Sequence, residues 1–279
     1  MAIALDDVIK RIADLPSLSA VVVELLASMD QEDIDVNALG AQIALDQALT
    51  AKTLRLANSS FYGMSSTVTS IPQAISVLGF HSIRTIVTAC AVTGTFPPTN
   101  TGSFNFKGFW RHSVAAAVAA KILARHLKTN PDTAFTAGLL HDIGSLVLAT
   151  RFPSQYDEML AWRAGQDCYI IEAERAVFGI DHTMAGKALA AYWKFPPAMQ
   201  DAVANHHVHD NPDATPLSLA VHAGNTFAHG LDLSDIEDDL APPISHRTWK
   251  ALGLDEAASM RVLREIESTY NDMCQILVN

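Results

Sequence analysis

Apolar residues in this chain recur at intervals of three and four almost from end to end, and nowhere do they alternate at period two for long enough to build a sheet. The pattern restricts the fold to packed amphipathic helices, an all-α class. Val8, Ile9 and Ile12 open the series before a break at Pro16, and Val21 to Leu26 and Ile43 to Leu56 continue it. Asp35 or Asn37 suits the cap of a helix running through Leu39 and Ile43. The residues Asn58, Ser59 and Ser60, followed by Tyr62 and Gly63, form a cap and turn rather than a catalytic or binding loop. Pro72 fits the first turn of another helix that ends near Gly79.

Residues 96–103 contain Pro97, Pro98 and Gly102 without apolar periodicity, which is the composition of a linker. The boundary is placed there, giving an N-terminal helical subdomain over 1–98 and a second helical core over 104–279. In that second part, 113–127 reads as a long alanine-rich helix, 133–150 as a second, and 157–178 as one or two more. Residues 183–193 continue the pattern. Pro196 and Pro197 start a helix ending near His206, Pro216 opens one through Ala228, and 255–278 forms a final amphipathic element. The acidic, proline-containing stretch 230–246 reads as an exposed loop, and no internal repeat is visible.

Composition narrows the function classes. A chain of 279 residues with 49% apolar residues can bury one sizeable core or two modest ones. Its formal charge of −11, with the 19 Lys and Arg residues scattered, opposes direct nucleic-acid binding. The acidic N-terminus lacks the basic start of a secretory signal, and no uninterrupted apolar run reaches the length of a membrane span. Cys90, Cys168 and Cys274 lie far apart without CxxC spacing, so neither a disulfide framework nor a thiolate zinc site is expected, and a reducing cytoplasm fits best. Cys168 has no basic flank that would make it a reactive thiol. Trp110, Trp162, Trp193 and Trp249 have apolar neighbours, which makes packing the default reading for most of them.

Chemistry concentrates in the second half. His141 and Asp142 stand side by side between Gly138 and Gly144, and His112, His182 and the pair His206-His207 lie near the ends of other expected helices. An antiparallel bundle can bring such positions to one end of a shared core. Imidazole and carboxylate are the ligands that hold a divalent metal against a phosphate ester. A single histidine in a helical protein is more often a packed or surface side chain, and His81, His126, His209, His222, His229 and His246 are read as surface or structural. Neighbouring residues on a regular helix point about 100° apart. His141 and Asp142 therefore need a local helix distortion, or a carboxylate that bridges two metals, to serve one centre.

The chain resembles the HD superfamily of metal-dependent phosphohydrolases and, within it, the HDOD family. The resemblance is carried by Leu15 to Leu18, Ile43 to Leu49, Leu54 to Ser60, Ile71 to Gly79 and Phe109 to Ser113, together with the His-Asp doublet. It implies an N-terminal helical subdomain packed on an HD-like helical bundle. HDOD proteins are generally regarded as output or scaffolding modules of bacterial signalling. By similarity to two-metal HD-GYP phosphodiesterases, His112, His141, Asp142 and Asn225 would ligate one ion, and Asp142, His182, His206 and His207 the other.

Three departures bear on chemistry. Catalytic relatives have an aspartate at the Asn225 position; an amide oxygen brings no charge and binds a hard cation more weakly, so the first site is the weaker one. Ser145 stands where the HDxGK pattern has a phosphate-neutralising lysine, and the text after His207 is not a GYP loop. Arg111 and Lys187 are candidate phosphate contacts, with a solvated surface position as the alternative for each. These features imply a regulatory, non-hydrolytic module that acts through signalling proteins and carries one or two ions of Fe, Mn, Ni or Zn. The alternative is a metal-dependent phosphohydrolase taking a small phosphorylated ligand, with His141 and Asp142 catalytic.

Overall fold

The computed structural model describes residues 3–14, 19–27, 36–59, 62–63, 67–95, 103–208, 211–234, 236 and 240–278, and no strand occurs among them. The Leu15 to Leu18 stretch, Asp35, Ser60, most of the linker (96–102) and His209 lie outside the described residues. The N-terminal helices are α1 (Leu5–Ile12), α2 (Ala20–Ala27), α3 (Val36–Leu45), α4 (Gln47–Ala57), α5 (Ile71–Leu78) and α6 (Phe80–Thr95). Asn37 falls inside α3 rather than capping it. The apolar series from Ile43 to Leu56 is cut at Asp46, whose carboxylate accepts the Leu49 N–H at 2.9 Å and caps α4. Asn58 then ends that helix and turns the chain: its Nδ2 donates to the Leu54 and Val68 carbonyls, each at 2.8 Å, while its Oδ1 accepts the Val68 N–H at 2.7 Å. Gly79 terminates α5 with φ +81°, a conformation that suits glycine.

The larger group comprises α7 (Phe106–Ala124), α8 (Pro131–Leu140), α9 (Ile143–Arg151), α10 (Pro153–Ala164), α11 (Ile170–Phe178), α12 (His182–Tyr192), α13 (Pro197–Asn205), α14 (Pro216–Gly230), α15 (His246–Leu252) and α16 (Glu256–Leu277). α7 is its axis, with α8, α14 and α16 packed around it. Asn105 caps α7 by accepting the Gly108 N–H at 2.9 Å, so the helix begins before 113. Its alanines allow neighbouring backbones very close. A Cβ on Gly138 of α8 would lie 2.9 Å from the Ala117 Cα, and one on Gly224 of α14 would lie 2.7 Å from the Ala116 carbonyl oxygen. His112 sits one turn before Ala116, so this contact draws α8 and α14 in beside it.

Residues 133–150 do not form one helix. α8 stops at Leu140 and α9 starts at Ile143, with Asp142 at φ −99°, ψ 13°. Gly144 of α9 meets Gly186 of α12 at a crossing where an added Cβ would lie 2.5 Å from the Gly186 nitrogen and closer still to the His182 carbonyl oxygen. The break and the glycine crossing together set Asp142 facing α12. By length and composition Pro131–Arg151 would suffice to cross a membrane, but 78% of its apolar window is buried inside the protein.

α2 to α6 pack chiefly on one another, and α6 meets α8. α1 lies instead on α9 and α12, and the Ile3 N–H donates to the Phe178 carbonyl at 2.6 Å, so the first helix of the 1–98 segment sits on the C-terminal bundle. α16 reaches the other way, packing on α7 and also on α4 and α6. Among the described residues of the stretch expected as an exposed loop at 230–246, Gly230, Asp232, Leu240, Ala241, Pro243 and His246 are exposed, whereas Ser234, Pro242 and Ser245 are buried and the Tyr270 hydroxyl donates to the Leu233 carbonyl at 2.6 Å. Trp110 and Trp193 are packed as expected, whereas Trp162 and Trp249 are exposed.

Candidate metal centre

Six helices deliver the site. His112 comes from α7, His141 and Asp142 from the break between α8 and α9, His182 from the start of α12, His206 and His207 from the end of α13, and Asn225 from the middle of α14. Two sets form around one shared carboxylate. In the first, the ligand atoms of His112, His141 and Asp142 all lie within 4.8 Å of one another; in the second, those of Asp142, His182, His206 and His207 do. Asp142 Oδ2 stands 3.5 Å from His112 Nε2 and 3.2 Å from His141 Nε2. Its Oδ1 faces the other way, 3.4 Å from His182 Nε2 and 3.1 Å from His206 Nε2. Asn225 Oδ1 joins the first set, 3.0 Å from His112 Nε2, and His207 Nε2 joins the second, 3.1 Å from His182 Nε2. The structure thus brings together every metal-type residue expected from the sequence.

The remaining ring nitrogens show what this convergence is for. His141 Nδ1 lies 2.7 Å from the Gly138 carbonyl oxygen and His206 Nδ1 2.8 Å from that of Val203. A carbonyl only accepts, so each Nδ1 carries a proton, and Nε2 is the nitrogen that each ring turns inward. His182 Nδ1 lies 2.6 Å from Glu174 Oε2, which also accepts the His182 backbone N–H at 2.8 Å. The Nε2 atoms of several imidazoles therefore face one another and a carboxylate, with Asp142 Oδ1 buried and taking no well-formed hydrogen bond. A divalent cation in each set would satisfy these groups. The residues present fit one or two metal ions, and Asp142 is the residue common to both sets.

Electrostatics agree with that reading. Burial alone would raise the Asp142 carboxyl, but His141, His206 and His182 around it outweigh burial and hold it well below the usual carboxylate range. Burial also acts against a charged His182, yet the Glu174 carboxylate prevails and pushes that ring up to about 9. His206 is pushed down to about 4 by burial, despite Asp142 beside it, and burial together with His206 and His182 drives His207 down as well. One proton thus rests on His182 when no cation competes for its Nε2.

Glu174 gave no sign in the sequence, because an acid within a helix is usually solvated; here it is fully buried behind His182. His222, read as surface or structural, is structural: its Nδ1 donates to the His206 carbonyl at 2.8 Å and its Nε2 accepts the Ser245 N–H at 3.1 Å, fixing the end of α13. Arg247 ties down the following loop, donating from Nη1 to the carbonyls of Asn211 and Pro212 and from Nη2 to that of Ala214. His81, His126 and His246 are exposed. His229 differs from expectation: one turn beyond Asn225 on α14, its ring stands 4.3 Å from that of His112.

A cavity of about 160 Å³ opens onto the centre, lined there by His112, Asp142, His182, His207 and His229. Ser145 lines it too, at the position where the HDxGK pattern has lysine. Neither Arg111 nor Lys187 does. The Arg111 Nε donates to the Tyr270 hydroxyl at 3.1 Å, and Lys187 is exposed on α12. The cavity's cationic side chain among the described residues is Arg163 of α10, which its position in the sequence does not reveal.

The fold and this cluster define a class: helical-bundle proteins with a histidine–aspartate centre of the HD type. The HDOD domain pattern matches residues 15–209, and the chain belongs to the HDOD family. An HDOD domain protein from Geobacter sulfurreducens superposes with TM-score 0.76 at 22% identity, covering 98% of each chain. A candidate phosphohydrolase from Shewanella amazonensis gives TM-score 0.78 at 27% identity, covering 97% of each. A curated protein of Treponema pallidum is 24% identical over 229 residues, 80% of this chain but 44% of its own length, so the chain spans less than half of that relative.

Proposed function

We propose that this chain is a metal-binding signalling module whose His–Asp centre senses a small phosphorylated ligand and passes its occupancy to protein partners, without rapid turnover. The observation that carries it is the set of buried imidazole Nε2 atoms that converge on the two oxygens of Asp142. Such an arrangement is costly when empty and becomes favourable around a cation. His112, His141, Asp142 and Asn225 would hold one ion, and Asp142, His182, His206 and His207 the other; iron, manganese, nickel and zinc all accept such ligands. Bound cations supply a positive centre for phosphate and acidify coordinated water.

The chain's own residues favour holding over hydrolysing. Asn225 Oδ1 coordinates without adding charge, and Ser145 presents a hydroxyl where a lysine would neutralise a leaving phosphate. Arg163 is left as the fixed cation of the cavity. The absence of clustered basic residues keeps nucleic acid from being the partner, while cysteines without pairing suit a reducing, cytoplasmic setting. The Geobacter likeness supports the fold, and the Shewanella protein, described as a candidate phosphohydrolase, supports a phosphate-directed site.

The test is metal-replete protein assayed with phosphomonoesters, nucleotides and cyclic dinucleotides. Tight binding without multiple turnovers supports the proposal. Rapid hydrolysis abolished by His141→Ala establishes the phosphohydrolase alternative instead.

A further inference from the structure

Beside the metal-type residues, much of the cavity lining is apolar and not built for phosphate. Phe104, Phe109, Tyr156, Leu160 and Ile170 line it, and of these Phe104, Leu160 and Ile170 are only half-buried. Phe104 packs edge-on against Tyr156, ring centres 5.4 Å apart, and lies 5.5 Å from Phe109, which gives a firm aromatic surface. Half-buried apolar side chains converging on a hollow gain free energy when an apolar group covers them. The same cavity is lined by the polar Asp142, His112, His182 and His207, and by Arg163. A hollow of about 160 Å³ is small. Drug-sized ligands occupy roughly 300–1,000 Å³, whereas an apolar cavity of about 150 Å³ in another protein accommodates a single benzene ring.

We infer that the ligand is a small phosphate monoester whose organic part is one planar ring. The phosphate lies toward the His–Asp centre and Arg163, and the ring lies on Phe104 and its neighbours. A second base would lie outside this hollow. The inference rests on the metal-binding reading above and specifies the ligand of the same site.

Calorimetry with manganese-loaded protein tests it, with phenyl phosphate, inorganic phosphate and a cyclic dinucleotide as probes and metal content measured on the same samples. Covering one aromatic ring is expected to make phenyl phosphate bind about tenfold or more tighter than inorganic phosphate. Phe104→Ala should reduce that preference to within about threefold while leaving inorganic phosphate unchanged; Arg163→Gln should weaken both. Circular dichroism of each variant separates a lost contact from a lost fold, and Phe104→Leu, which keeps apolar bulk, should retain part of the preference. If metal loads and inorganic phosphate binds but the ring adds nothing, or a cyclic dinucleotide binds as tightly as phenyl phosphate, the inference falls and the metal-binding reading stands. If no metal loads, both fall.

Discussion

Replacing Gly144 with alanine perturbs the crossing that sets Asp142 against α12. The added methyl would meet backbone: the Gly186 nitrogen at 2.5 Å, the His182 carbonyl carbon at 2.8 Å and the His182 oxygen nearer still. Backbone cannot swing aside as a side chain does. Normal contact is restored only if α9 and α12 separate by about 1 Å, and overpacking of this kind costs about 1–3 kcal/mol or more. The same displacement moves His182 away from Asp142 Oδ1, now 3.4 Å from its Nε2. Metal ligation tolerates distance errors of only about 0.2 Å. Gly144→Ala should therefore lower unfolding stability in urea by about 3 kcal/mol and empty the His182–His206–His207 site, while the His112–His141 site retains its ion. Protein with unchanged stability and undiminished metal content would refute the claim that the glycine crossing builds the centre.

Asn225→Asp should raise metal content by adding charge to the His112–His141 set, as measured by elemental analysis; unchanged stoichiometry would contradict the assignment of Asn225 to that set. Glu174→Ala removes the acceptor that orients His182, and loss of such a partner typically weakens metal binding about 10–100-fold; equilibrium dialysis against a chelator should show the loss, and undiminished affinity would exclude the positioning role. The pH dependence has a definite sign. Because His182 carries a proton below about 9, a cation must displace it, so apparent affinity should rise about tenfold per pH unit from near neutrality toward 9 and then level off. Affinity that stays flat with pH over that range would show that His182 is not displaced.

Histidines were legible in the sequence because they are scarce ligands recurring near the ends of expected helices, and the family pattern ordered them into two sets; His112 instead lies inside α7, which starts at Phe106. The helical class was equally plain from the spacing of apolar residues. The interruption at His141 and Asp142 was not, because apolar periodicity runs through 133–150 and the chain is redirected by the packing of Gly138 on α7 and Gly144 on α12. α6 and α15 escaped notice for a related reason: their burial is decided by neighbouring helices. Glu174, Arg163 and His229 carry no local signal, since a buried acid, a cavity-lining cation and an imidazole tilted against another ring each look like ordinary helical residues until the bundle closes. Arg111, adjacent to His112 in sequence, points elsewhere and bonds Tyr270 of α16.

The most direct measurement is elemental analysis of protein purified without chelator, side by side with Asp142→Ala. Asp142 offers one oxygen to each set. Bound transition metal in the native chain, falling to near zero in the variant, is the predicted result. A native chain without metal that also takes up none from added iron, manganese, nickel or zinc would contradict the account.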